Sequence, residues 1–123
     1  MTERPRIEDL LRDFVGSVAN EVRGAILARR DGLLVAAAAM GDIDLRMTAA
    51  QLAAIRSVEE RITTSIGLGA PRNSIIECEE GSLVVRIVGG LVIGALLKKE
   101  GNVGLVMLKM DRLAERISEE LGE

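Results

Sequence analysis

The stretch ILARRDGLLVAAAAM, from Ile26 to Met40, constrains the fold more than any other. Two apolar segments flank Arg30-Asp31-Gly32, and the second is mostly alanine. Alanine is a strong helix former and a poor strand former. Asp-Gly is a strong hairpin signal, because a tight primed turn needs positive φ. A helix running through Gly32 would lose roughly 1 kcal/mol there. The expectation is therefore a hairpin, with strands over about Gly24–Arg29 and Leu33–Ala39. The alanines then suit a strand covered on both faces, where helices pack close.

The rest of the chain reads around that hairpin. Ile7, Leu10, Leu11, Phe14, Val15, Val18 and Val22 follow three-four spacing and predict a first helix from Ile7 to Val22, with Pro5 in its first turn and Glu8–Arg12 as a favourable pair. Thr48 and Gln51 match a capping box, and Met47 with Leu52 a hydrophobic staple, so a second helix is expected from Ala49 to near Gly67. GLGAPRN reads as a loop. Three strand-like runs follow, about Ser74–Glu79, Ser82–Val88 and Leu91–Lys98, separated by Glu80-Gly81 and Gly89-Gly90. Leu83, Val85 and Ile87 share one face, Val84, Arg86 and Val88 the other; Ile93, Ala95 and Leu97 oppose Val92, Gly94 and Leu96. Asn102 caps a third helix whose stripe is Val103, Val106, Met107, Met110, Leu113, Ala114, Ile117 and Leu121. The expected fold is an α/β sandwich (α+β) in the order α-β-β-α-β-β-β-α, with a five-stranded antiparallel sheet between helices on both faces. Residues 1–123 are expected to form one domain.

Composition then excludes several function classes. Hydrophobic residues make up 48% of 123 residues, yet there is one Phe and no Trp or Tyr. The net charge of −3 comes from interspersed acids and bases. A nucleic-acid partner would need a basic face or stacking aromatics, so none is expected. With no histidine, Ser-His-Asp and Cys-His nucleophiles are excluded. One cysteine, Cys78, excludes an internal disulfide and makes a zinc site implausible. Asp42 and Asp44 do not fit a calcium loop. Glu79-Glu80 reads as a solvated turn pair, and GLGAPRN and KKEGNVG lack a phosphate-binding pattern. No catalytic residue, metal or cofactor is expected. MTERPRIEDL has no signal-peptide core and no apolar run reaches bilayer length, so the expectation is a cytoplasmic protein without membrane insertion.

What remains is surface. On the second helix, Ile55, Val58, Ile62 and Ile66 form the expected sheet-facing stripe. Ala50, Ala54, Ser57 and Arg61 form another, small rather than charged. It reads either as a solvated face of good helix formers or as a place where a helix approaches closely, most simply the same helix of a second copy. A glutamate at Ala54 would then hinder association. Cys78 reads as a small buried hydrophobe or as a residue near its twin at a symmetry axis; Met107 and Met110 read as core.

Element order and motifs together resemble the Roadblock/dynein light chain family. VRGAILARRDGLLVAAA is similar to its first hairpin, AAQLAAIRSVEERITTSIGLG to its central helix, and GSLVVRIV and EGNVGLVMLKMDRLAERI to its later strand and final junction. The resemblance spans about Ile7 to Leu121. It implies a homodimer, or a tetramer built from it, with central helices side by side and third strands joined into one sheet. Carried over, Ala50, Ala54, Ser57 and Arg61 line the helix contact, and Ile75, Ile76, Glu77, Cys78 and Glu79 form the joined edge. Prokaryotic members act on or scaffold small Ras-like GTPases, usually without an arginine finger; Arg56, Arg61 and Arg72 are the arginines available. Two other readings stay open: a structural assembly subunit with no GTPase contact, and a small-molecule sensor.

Overall fold

The computed structural model describes residues 3–122, with side chains from Arg6 onward; Met1 lies outside this range. Its elements are α1 (Glu3–Ser17), β1 (Val22–Arg29), β2 (Leu34–Ala38), α2 (Leu45–Ser65), β3 (Asn73–Cys78), β4 (Gly81–Val88), β5 (Leu91–Lys98) and α3 (Val103–Leu121). The expected order and the antiparallel five-stranded sheet are both present, with spatial order β2-β1-β5-β4-β3. This leaves β2 and β3 as the two edges.

Asp31-Gly32 does make the hairpin, but in a three-residue form. Arg29 N donates to Leu33 O at 2.8 Å, and Gly32 N to Arg29 O at 2.9 Å. Only Gly32 takes positive φ, +96°, while the Asp31 carboxylate accepts from Leu33 N at 3.2 Å. A left-handed glycine closing a three-residue loop replaces the expected primed turn, which would need positive φ at Asp31 too. β2 stops one residue earlier than predicted because Ala39 turns left-handed, at φ 58°. Gly24 permits this close approach: a Cβ there would lie 2.6 Å from Ala39 O.

The alanines face both ways. Ala36 and Ala38 join the core beneath α1 and α3, while Ala37 turns toward α2. Short side chains let helices approach the edge strand on each side. The α1/α3 layer is large, built on Leu11, Phe14, Leu27, Ile93, Val106, Met110 and Ile117. The α2 layer is smaller, centred on Ile26, Leu52, Val85 and Val92. Residues of β4 and β5 divide between the layers as their alternation predicts.

The helix ends differ from expectation in two places. α1 stops at Ser17, and Val22 opens β1 instead; Arg12 pairs with Asp9, one turn back. α2 begins at Leu45, four residues early, because Asp44 is its cap. Asp44 Oδ1 accepts from Met47 N at 3.1 Å. Thr48, the expected cap, lies within the first turn and donates its hydroxyl to Asp44 O at 2.8 Å. Both residues are good caps, and the earlier one wins because Leu45 is then drawn against the α2 layer. Asn102 caps α3 as predicted, accepting from Leu105 N at 3.0 Å.

Candidate interaction surface

The directions around α2 have different neighbours. Toward the sheet lie Ala49, Leu52, Ala53 and Arg56, all buried. On one flank sits the β1–β2 turn: a Cβ on Gly32 would lie 3.3 Å from Ala50 Cα and 3.8 Å from Ala53 Cβ. The opposite flank looks toward β3, where the Ser74 hydroxyl donates to Glu59 Oε1 at 3.2 Å.

The expected sheet-facing stripe is therefore corrected. Ile55 is half-buried, while Val58, Ile62 and Ile66 are 50%, 54% and 65% exposed. The cause is at Gly94 of β5. A Cβ there would lie 2.9 Å from Leu52 Cδ1, so the missing side chain lets Leu52 sink into the sheet. The helix is turned to put Ala49, Leu52, Ala53 and Arg56 down, and Val58, Ile62 and Ile66 rotate outward.

All four residues of the small stripe, Ala50, Ala54, Ser57 and Arg61, are exposed. They lie on the turn side or the outer surface of α2, away from the β3 flank. Met47 and Leu33 stand beside them, 53% and 58% exposed. The edge residues Ile75, Ile76, Glu77, Cys78 and Glu79 are exposed as well.

The β3 edge has a defined polarity. Arg72 O accepts from Ile87 N at 2.9 Å, which sets the alternation of the ladder. Ser74, Ile76 and Cys78 then turn their backbone groups to β4, and Asn73, Ile75 and Glu77 turn theirs to the open side. Side chains alternate in the same way. Ser74 and Ile76 point to the α2 face, opposite Val85 and Leu83; Ile75 points to the α3 face, opposite Val84. Ile76 thus shares a layer with the exposed flank of α2.

Several charged groups hold elements together. Arg56 is buried, contrary to a role in reaching a partner. Its Nη1 meets Glu60 at 2.9 Å, and Arg30 from the β1–β2 turn meets the same carboxylate at 3.2 Å. The pair ties the hairpin to α2. Arg61 and Arg72 remain exposed. Arg86 bridges Asn73 and Asp111 across β3, β4 and α3. Cys78, read as a buried hydrophobe, is exposed; its Sγ lies 3.8 Å from Ile76 O. β3 is an edge with no helix over its end, which hydropathy alone does not reveal. Asp44 is used as a cap, and no group of three metal-ligating side chains converges among the described residues. No helix among them is long and apolar enough to cross a membrane.

The signal for the exposed flank was present in the sequence. α2 carries more apolar positions than one sheet contact can use, and Ala49, Leu52, Ala53 and Arg56 also keep helical spacing. The buried stripe mixes two alanines with Leu52 and Arg56, so hydropathy at helical spacing favours the more apolar Ile55, Val58, Ile62 and Ile66 instead.

Comparison with known proteins agrees with this architecture. The Roadblock/LC7 domain family model matches residues 8–97. The uncharacterized protein MJ1340 of Methanocaldococcus jannaschii is 29% identical over 96 residues, 78% of this chain and 84% of that protein. The structure of Myxococcus xanthus MglB superposes with a TM-score of 0.92 at 21% identity, covering 99% of this chain and 92% of that one. A structure described as MglB with tetrameric arrangement gives 0.88 at 18% identity, covering 98% and 90%.

Proposed function

Because the chain belongs to the Roadblock/LC7 domain family, we propose that it works as a non-catalytic homodimer that binds and regulates, or scaffolds, a small Ras-like GTPase. The observation that carries the dimer is a pair of unfilled surfaces that meet. The β3 edge offers unpaired backbone groups, and the adjoining flank of α2 offers Ile55, Val58, Ile62 and Ile66. Natural proteins protect such edges, since an open strand invites promiscuous pairing.

The pairing is antiparallel across a two-fold axis near Ile75 and Ile76. Asn73, Ile75 and Glu77 supply the backbone bonds, and Glu79 lies just past the strand. Ile76 of both copies joins Leu83 and the two α2 flanks in one apolar layer. Val58, Ile62 and Ile66 each gain about 1 kcal/mol from completing their burial. The contact is of standard size, about 800 Å² on each side. In this arrangement the helix contact is the β3-side flank. The small stripe, Ala50, Ala54, Ser57 and Arg61, faces away from the axis with Leu33 and Met47, and forms the outer platform for the client. A tetramer would pair two such dimers.

GTPase binding rests on the family resemblance. Regulation acts by ordering the client's own switch segments, since Arg56 is buried and nothing distinguishes Arg61 or Arg72 as a finger. The test is co-elution of the purified chain with small GTPases encoded beside it, each loaded with GDP or a non-hydrolysable GTP analogue. A complex with one nucleotide state is expected. Absence of a complex in both states, for every such GTPase, rejects the client and leaves the assembly-subunit reading.

A further inference from the structure

We propose that the groove between α1 and α3 is a docking site for an acidic, amphipathic protein segment. It lies on the face of the sheet opposite α2, and the proposal does not depend on the dimer or on the GTPase. Leu10, Asp13, Phe14 and Ser17 line it from α1; Lys109, Arg112, Leu113 and Arg116 line it from α3. Two features select the occupant.

The first is charge. The chain carries a net charge of −3, yet this groove sets three cations against one carboxylate, Asp13. Nearby charges are spent internally: Arg6 pairs with Glu120, and Arg12 with Asp9. The side chains of Lys109, Arg112 and Arg116 make no ion pair or hydrogen bond with the described residues. They follow one stripe of α3 over about 10 Å, the rise of two helical turns. Carboxylates on a facing helix at three-four spacing match that stripe.

The second is the floor. Leu10, Phe14 and Leu113 form it and are nearly covered already, at 8%, 5% and 4% exposure. The alkyl stems of the cations extend the apolar surface toward the rim. An occupant with apolar side chains on the same face as its acids completes the covering. Since little bare apolar area remains, charge supplies most of the attraction, and the complex is sensitive to salt on the scale of a Debye length of about 10 Å at 0.1 M.

The experiment uses the full chain and a fluorescent peptide of about fifteen residues, with leucine and glutamate at helical spacing. A peptide with lysine in place of glutamate, and vesicles of phosphatidylglycerol, are titrated in parallel. The acidic peptide is expected to bind, and Arg112→Glu with Arg116→Glu to weaken it by about tenfold or more. The milder pair Arg112→Gln and Arg116→Gln weakens it severalfold and serves if the reversal disturbs folding, as judged by thermal melting. Lys99→Glu, an exposed charge outside the groove, leaves it unchanged. No binding of the acidic peptide, equal loss in Lys99→Glu, equal binding of the lysine peptide, or binding to vesicles alone each overturns the proposal.

Discussion

The two faces of the sheet solve the same packing problem to different degrees. α1 and α3 together close one face, and its large residues, such as Leu11, Met110 and Ile117, are almost wholly buried. α2 alone serves the other and packs over β1, β2 and β5, leaving Ile76 and its own β3-side flank open. The first face is completed within the chain. On the second, a row of β-branched side chains stands exposed beside an unpaired strand edge, the two features on which the proposed dimer rests.

The contrast is sharpest under equal truncations. Leu11→Ala on the closed face should cost about 3–4 kcal/mol of folding stability, measured by urea unfolding. Ile62→Ala on the open flank should cost under about 0.5 kcal/mol, at a concentration where the chain is monomeric. Similar losses at both sites would break the distinction between the faces.

Charge insertion probes the open flank directly. Ile62→Glu should raise the dimer dissociation constant by about 100-fold, read by sedimentation velocity, because a carboxylate would be forced into an apolar contact. Circular dichroism should show the fold intact. A smaller effect belongs to the helix that carries this flank. Asp44→Ala should lower stability by about 1 kcal/mol in thermal melts, whereas a loss confined to Thr48→Ala would restore the later helix start. Smallest of all, Ala54→Glu should leave association unchanged within about twofold and stability within about 0.5 kcal/mol. Dissociation by Ala54→Glu would return the helix contact to the small stripe.

Much of this organisation was legible in the sequence, because local chemistry decides it. Asp31-Gly32, Gly89-Gly90 and Asn102 mark where the chain turns or starts a helix, whereas the expected turn at Glu80-Gly81 falls one residue earlier, at Glu79-Glu80, because Gly81 pairs with Cys78 and opens β4. Strict alternation in β4 and β5 divides their side chains between faces. Two matters were not legible for the same physical reason: both depend on how one element sits on another. The rotation of α2 is set by the space over Gly94, which is invisible until β5 is known to lie beneath Leu52. The exposure of Cys78 depends on strand order, which hydropathy does not encode; the family resemblance, not the residue pattern, is what placed Ile75 to Glu79 at a sheet edge. The choice between Asp44 and Thr48 falls between these cases, since both are good caps and the packing of Leu45 separates them.

The most direct measurement is the solution mass of the chain and its Ile75→Pro variant at micromolar concentration. Ile75 turns its N–H to the open side of β3, so proline there removes a donor that the β3–β4 ladder does not use and blocks pairing with a second edge. The proposed edge-to-edge dimer requires twice the 13.2 kDa chain mass for the wild type, and the mass of a folded single chain for the variant. A wild type of one chain mass, or an Ile75→Pro variant that stays paired, would contradict it.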